Sequence, residues 1–150
     1  RLSDEKFYHI YSSDLTRAYD TAKAIKKFHP DTSLTVTENL REVMNYHFLN
    51  GRQPPTPLLR KGYAFEEDNI ERFANHLRHA HTPGQKILVV CHGNIIRTLI
   101  PVLAARNPKD CVLMEIDNTS ITRLEVYQSG EAILTVVNDV GHLLPNLVTY

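Results

Sequence analysis

Lys86-Ile87-Leu88-Val89-Val90-Cys91-His92-Gly93-Asn94 carries the strongest structural signal in the chain. Four consecutive aliphatic residues between a lysine and a Cys-His-Gly turn read as a buried strand. From 95 to 103 the apolar residues recur at helical spacing. The unit is strand, tight turn, helix, and it delivers a histidine where the sheet stops. In open α/β sheets ligands bind beyond the carboxyl ends of the strands, where helix N-termini present unpaired N–H groups to anions. His92 in that setting points to phosphate chemistry. A positive helix end favours neutral imidazole there, and a bound phosphate favours imidazolium. The competing reading is a hydrogen-bonded core histidine; the glycine directly after His92 favours the functional one.

Working outward, residues 7–12 (Phe-Tyr-His-Ile-Tyr-Ser) are rich in aromatic and β-branched types and predict another strand. Ser13 or Asp14 can cap the helix that follows, whose apolar positions are Leu15, Ala18, Tyr19, Ala22 and Ile25, with Pro30 beyond its end. Residues 34–37 predict a short strand. Residues 43–65 contain Gly51, Pro54, Pro55, Pro57 and Gly62 and predict an irregular loop, functional or mobile. Helix resumes over 66–80, with Ile70, Phe73, Ala74 and Leu77 on one face, and Pro83-Gly84 breaks it. Residues 120–126 and 132–137 predict two strands of a hairpin turning at Ser129-Gly130. Alternating strands and helices define an α/β chain with a mainly parallel sheet covered by helices on both faces.

The bulk numbers narrow the function classes. A length of 150 residues fits one domain. Lys+Arg and Asp+Glu balance at 17 each, so no global field recruits nucleic acid or an anionic membrane, and anion recognition must be local. Cys91 and Cys111 are too few for a disulfide scaffold, and Cys91, at the end of a buried strand, reads as a reduced core thiol, which sets the expected compartment inside the cell. The cytoplasm is the first expectation and the mitochondrion the alternative. No apolar run approaches the ~20 residues of a membrane span, and no signal peptide is visible.

Three further segments bear chemistry. Arg17 falls in the first turn of its helix, where a cation opposes the helix dipole at a cost of roughly a few tenths of a kcal/mol. A bound anion would offset that cost, and a guanidinium fork suits phosphate oxygens; a solvated surface arginine is the equal competitor. Glu42, in Leu40-Arg41-Glu42, stands at the entrance to the loop, where negative charge and burial would let it hold a proton. His76, His79 and His81 crowd one segment; His76 and His79 share a helix side, but two histidines make half a tetrahedral metal site, and an exposed polar face is the better reading. Cys91 has no activating neighbour besides His92.

Together these segments resemble the histidine phosphatase superfamily, the phosphoglycerate mutase-like proteins. Tyr11-Ser12-Ser13-Asp14-Leu15-Thr16-Arg17-Ala18 with Thr21-Ala22 is similar to the family's second motif, Leu40-Arg41-Glu42 to its acid motif, and Val89-Val90-Cys91-His92-Gly93-Asn94 with Ile96-Arg97 to its second-histidine motif. Asn118-Thr119-Ser120-Ile121-Thr122 and the stretch from Asn138-Asp139 to His142-Leu143 match weaker late patterns. The resemblance implies a three-layer α/β/α fold and a phosphohistidine mechanism without metal or organic cofactor. By motif, Arg17, His92 and Asn94 bind phosphate, His92 belongs to the catalytic set, and Glu42 donates a proton to the leaving group. The implied partner is a phosphorylated small molecule or a phosphoprotein, and an oligomer is compatible with the chain.

One motif of the family has no counterpart. Arg-His-Gly, which carries the nucleophile, occurs nowhere in the 150 residues. The expectation is therefore a single domain over 1–150 that lacks the family's first strand and helix, a unit of about 30 residues, with the nucleophilic histidine upstream of Arg1. Glu42 continues as Val43-Met44-Asn45 without the mutase-like Arg-His-Tyr-Gly, and the stretch from Glu42 to His92 is short, so a phosphatase is favoured. The late patterns and Cys91-His92 are most similar to the branch that acts on protein serine and threonine phosphates. The alternatives are a non-catalytic phosphate-binding or scaffolding member, a phosphoglycerate mutase, and a metal hydrolase built on His76 and His79.

Overall fold

The computed structural model describes residues 1–43, 57–104 and 114–149, with the backbone alone for 57–67. Cys111 and the loop residues 44–56 lie outside this set. The central strand is β1 (His9–Ser13), followed by α1 (Thr16–Lys26), β2 (Ser33–Thr37) and a 3-10 turn, Glu38–Leu40. Next come α2 (Pro57–Ala80), β3 (Ile87–Val90), α3 (Gly93–Leu103), β4 (Ile121–Val126) and β5 (Ala132–Asp139). The sheet order is β2-β1-β3, all parallel, and β4 and β5 form an antiparallel hairpin of their own.

Successive side chains of β1 serve opposite faces, as strand geometry requires. Ile10, fully buried, packs with Ala18, Ala22 and Val90 beneath α1. Tyr11 points the other way, into a cluster of Leu40, Val43, Ile70, Phe73, Ala74, Ile95, Leu99 and Val102 from α2, α3 and the turn before Glu42. Helices therefore cover both faces, giving the three layers expected. Truncating Ile10 to alanine removes a core anchor worth roughly 2–5 kcal/mol.

Register decides what meets at the top of the sheet. Ser12 lies opposite Val90 and Ser13 opposite Thr37, so β1 ends level with β3 and His92 follows two residues later. The loops entering α1 and α3 leave the sheet side by side.

Two boundaries differ from the sequence expectation. α2 begins at Pro57 rather than at 66. A proline at the first helical position surrenders no hydrogen bond there, and the Gly62 penalty of roughly 1 kcal/mol is spread over a long helix. α1 begins at Thr16 with Leu15 as its N-cap and no side-chain cap. Ser13 Oγ accepts the Leu15 N–H (3.2 Å), one step short of the helix, and Asp14 is engaged elsewhere.

The hairpin turns at Gly130 (φ +86°), where the Gly130 N–H bonds the Tyr127 carbonyl (3.0 Å). Among the described residues β3 pairs on one side only and β4 pairs only with β5. One carboxylate spans the two pieces: Glu5 receives Lys86, at the entrance to β3, and Arg123 of β4 (3.1 Å).

Candidate active site

The candidate side chains gather where β1 and β3 run out. Ser13 is fully buried and His92 is 6% exposed. His92 Nε2 and Ser13 Oγ are 3.0 Å apart, although 79 residues separate them in sequence. His92 is the N-cap residue of α3 and has extended backbone (φ −128°, ψ 162°). Burial, then the nearby Arg17 cation, push its imidazole down to about 4, with the Asp14 carboxylate opposing. Without a ligand the ring is neutral at physiological pH. A Cβ at Gly93 would lie 3.2 Å from Arg97 Nη1, so the glycine leaves room for that guanidinium.

Arg17 stands exposed in the first turn of α1, as expected. It acts electrostatically on both His92 and Glu42, so the two chemical groups share one cation. Glu42 lies at the surface, yet the atoms crowding its carboxyl strip hydration and raise it above the usual carboxylate range. The N–H groups of Val43 (3.2 Å) and Asn94 and the charges of Arg17 and Arg97 oppose that rise. A carboxyl raised by desolvation and surrounded by cations is suited to giving up a proton as negative charge arrives.

Neighbouring contacts place these groups. Arg41 grips Asp14 with both arms of its fork, Nε to Oδ1 at 2.9 Å and Nη2 to Oδ2 at 2.5 Å. That hydrogen-bonded cation holds the Asp14 carboxyl below its usual range and ties the Glu42 turn to the loop ahead of Arg17. On the other side, Val43 is buried in the core and its carbonyl accepts Asn94 Nδ2 at 2.9 Å. Asn94 Oδ1 accepts Arg97 Nη1 (3.1 Å), and Arg97 Nε reaches the Met114 carbonyl (2.7 Å). Asn94, expected to bind phosphate, also braces the site through its amide, holding Val43 at one end and Arg97 at the other.

The sequence missed Ser13, Arg97 and the Asp14–Arg41 fork. All four residues lie inside the quoted motifs or next to the predicted groups, but their contacts join segments far apart in the chain. His76 and His79 lie on an exposed helix face, as expected, but their partners differ. His76 Nε2 and His81 Nε2 both meet Tyr11 Oη, at 2.9 and 3.0 Å, while His79 Nδ1 bonds the carbonyl of Asn75 in its own helix. α2 ends at Ala80 and the chain turns back, so His81 rather than His79 joins His76. Among the described residues no three metal-ligating side chains converge. Burial pushes the Cys91 thiol up to about 12, so it is not a nucleophile at neutral pH.

With three layers, a parallel sheet and this cluster at its carboxyl end, comparison with known proteins is direct. The family model of the histidine phosphatase superfamily (branch 1) matches residues 1–58 and 54–139. The chain belongs to that superfamily. The mitochondrial serine/threonine-protein phosphatase Pgam5 of Caenorhabditis briggsae is 33% identical over 153 residues, covering 99% of this chain and 54% of the relative. The chain thus spans about half the length of that relative. The crystal structure of the alpha-ribazole phosphatase from Shigella flexneri superposes with a TM-score of 0.71 at 21% identity, covering 91% of this chain and 75% of that one, which establishes the fold. Phosphoglycerate mutase from Plasmodium falciparum gives a TM-score of 0.63 at 25% identity, with 99% and 80% covered.

Proposed function

We propose that this chain forms the phosphate-holding part of a phosphatase that cleaves phosphomonoesters through a phosphohistidine. The observation that carries the reading is the meeting of neutral His92, cationic Arg17 and protonatable Glu42 at the N-termini of α1 and α3. Arg17 and the imidazole of His92 take the non-bridging phosphoryl oxygens and stabilise the charge that develops on them. Glu42 protonates the departing oxygen as the phosphorus–oxygen bond breaks and a histidine nitrogen bonds to phosphorus. Water, giving a proton back to Glu42, then attacks the phosphohistidine, releasing inorganic phosphate and restoring the histidine.

The nucleophilic histidine belongs, in this proposal, to an Arg-His-Gly segment preceding Arg1. The one-sided pairing of β3 and β4 supports a place for one more strand between the three-stranded sheet and the hairpin. The relative named as a serine/threonine-protein phosphatase makes phosphoprotein the first substrate class, ahead of small phosphomonoesters, and its mitochondrial name makes that compartment the proposed one. Among the described residues no helix is long and apolar enough to cross a membrane.

The test is turnover of p-nitrophenyl phosphate by the full-length protein, with Arg17→Ala and His92→Ala beside it. Turnover lost in both variants supports the phosphatase. Saturable phosphate binding without turnover in the parent supports the scaffolding alternative instead.

A further inference from the structure

We infer that Ser13 is a positioning residue: its hydroxyl fixes the tautomer of His92 and so decides which ring nitrogen presents a proton to a bound anion. The inference rests on the reading of His92 as a phosphate ligand. A neutral imidazole has one donor and one acceptor nitrogen, and the partner of one sets the role of the other. Ser13 Oγ already accepts the Leu15 N–H at 3.2 Å. Its own proton is directed to its other neighbour, His92 Nε2, at 3.0 Å. His92 then accepts at Nε2 and carries its proton on Nδ1.

Burial makes this arrangement decisive. Ser13 is fully buried and His92 is 6% exposed, so water does not readily replace the hydroxyl. The alternative tautomer would aim an N–H at an oxygen that already accepts one and would leave the serine proton without this partner. The backbone enforces the same geometry, since Ser13 is held in register opposite Thr37 and His92 caps α3 two residues beyond β3. Through Leu15, the N-cap of α1, the same oxygen links His92 to the turn that carries Arg17.

The test uses the full-length protein with histidine-selective nitrogen-15 labelling and long-range proton–nitrogen correlation spectra at neutral pH. Thr and Val have similar volume, so Ser13→Thr and Ser13→Val differ in the hydroxyl alone. Parent and Ser13→Thr should show His92 as the Nδ1–H tautomer, and Ser13→Val should populate Nε2–H. Inorganic phosphate affinity should fall about three- to tenfold in Ser13→Val and recover in Ser13→Thr. Ser13→Ala removes the hydroxyl without added volume and replaces Ser13→Val if that variant does not fold. An Nε2–H tautomer in the parent, or an Nδ1–H tautomer unchanged when the hydroxyl is removed, overturns the inference. A protein without turnover whose His92 tautomer follows the hydroxyl defeats the phosphatase reading and leaves the role of Ser13 standing.

Discussion

Two residues apart on the same face of β1, Tyr11 and Ser13 each hold a hydroxyl against histidine. Tyr11 Oη meets His76 and His81 at 2.9 and 3.0 Å, and Ser13 Oγ meets His92 at 3.0 Å. The first pairing lies at the C-terminal end of α2, packed by Phe73 (centroids 5.3 Å apart) and by the ring of His9 (4.4 Å). The second lies between two helix N-termini, beside Arg17 and Glu42. Helix C-termini offer carbonyls and negative potential, whereas N-termini offer N–H groups and positive potential. The same two functional groups are therefore structural in the middle of the strand and suited to phosphate at its end.

Substitutions should separate the two regions. The largest effect is on turnover of the full-length protein. Arg17→Ala or His92→Ala should each lower kcat by roughly 10²–10³, the loss typical of removing one oxyanion donor. Glu42→Gln should cost about 10² with an alkyl phosphate and much less with p-nitrophenyl phosphate, whose leaving group needs little protonation. Equal losses on both substrates would break the assignment of Glu42 as proton donor.

Acid stability follows next in size. Because the folded-state value of His92, about 4, lies below its ordinary 6.5, the unfolded chain takes up a proton first as pH falls. Stability from this group is complete above pH 6.5 and is lost as pH drops towards 4, by roughly 3 kcal/mol. His9 shifts the same way, through burial and then the charges of His81 and His76. Urea unfolding at pH 7 and pH 4.5 should show the loss, and His92→Gln should reduce it. Bound phosphate should oppose it.

Tyr11→Phe removes the hydroxyl shared by two half-solvated imidazoles and should cost about 0.5–1.5 kcal/mol in urea unfolding. Turnover per folded molecule should stay at the parent value. A kcat collapse in Tyr11→Phe would erase the distinction between the two regions. Smallest is the Asp14–Arg41 fork, exposed and screened by salt. Arg41→Lys loses the bidentate grip and should raise KM about threefold at low ionic strength, with the difference shrinking as salt is added.

Much of this layout is legible in the chain because its signals are local. The alternation in Ile10 and Tyr11, the helical spacing of Ala18 and Ala22, and the run from Ile87 to Val90 each report burial within a few residues. Arg17, Glu42 and His92 are legible because each sits in a short motif at an element boundary. What the chain conceals are the cross-links between those motifs. Ser13 reads as a capping residue until β1 and β3 are set in register, and the bracing of Val43 and Arg97 by Asn94 emerges only from the folded chain. His81 reads as lying off the helix side of His76 until the turn after Ala80 brings it to Tyr11. The early start of α2 escaped because Pro57 and Gly62 carry a stronger local loop signal than their cost within a long helix warrants.

The most direct test of the phosphate site is a titration of histidine-labelled full-length protein with inorganic phosphate, followed by nitrogen-15 shifts over a pH series. His92 should give a saturable response, with its pKa raised from about 4, abolished by Arg17→Ala, while His76 and His81 stay still. A silent His92, or a response centred on His76 and His81, would contradict that assignment.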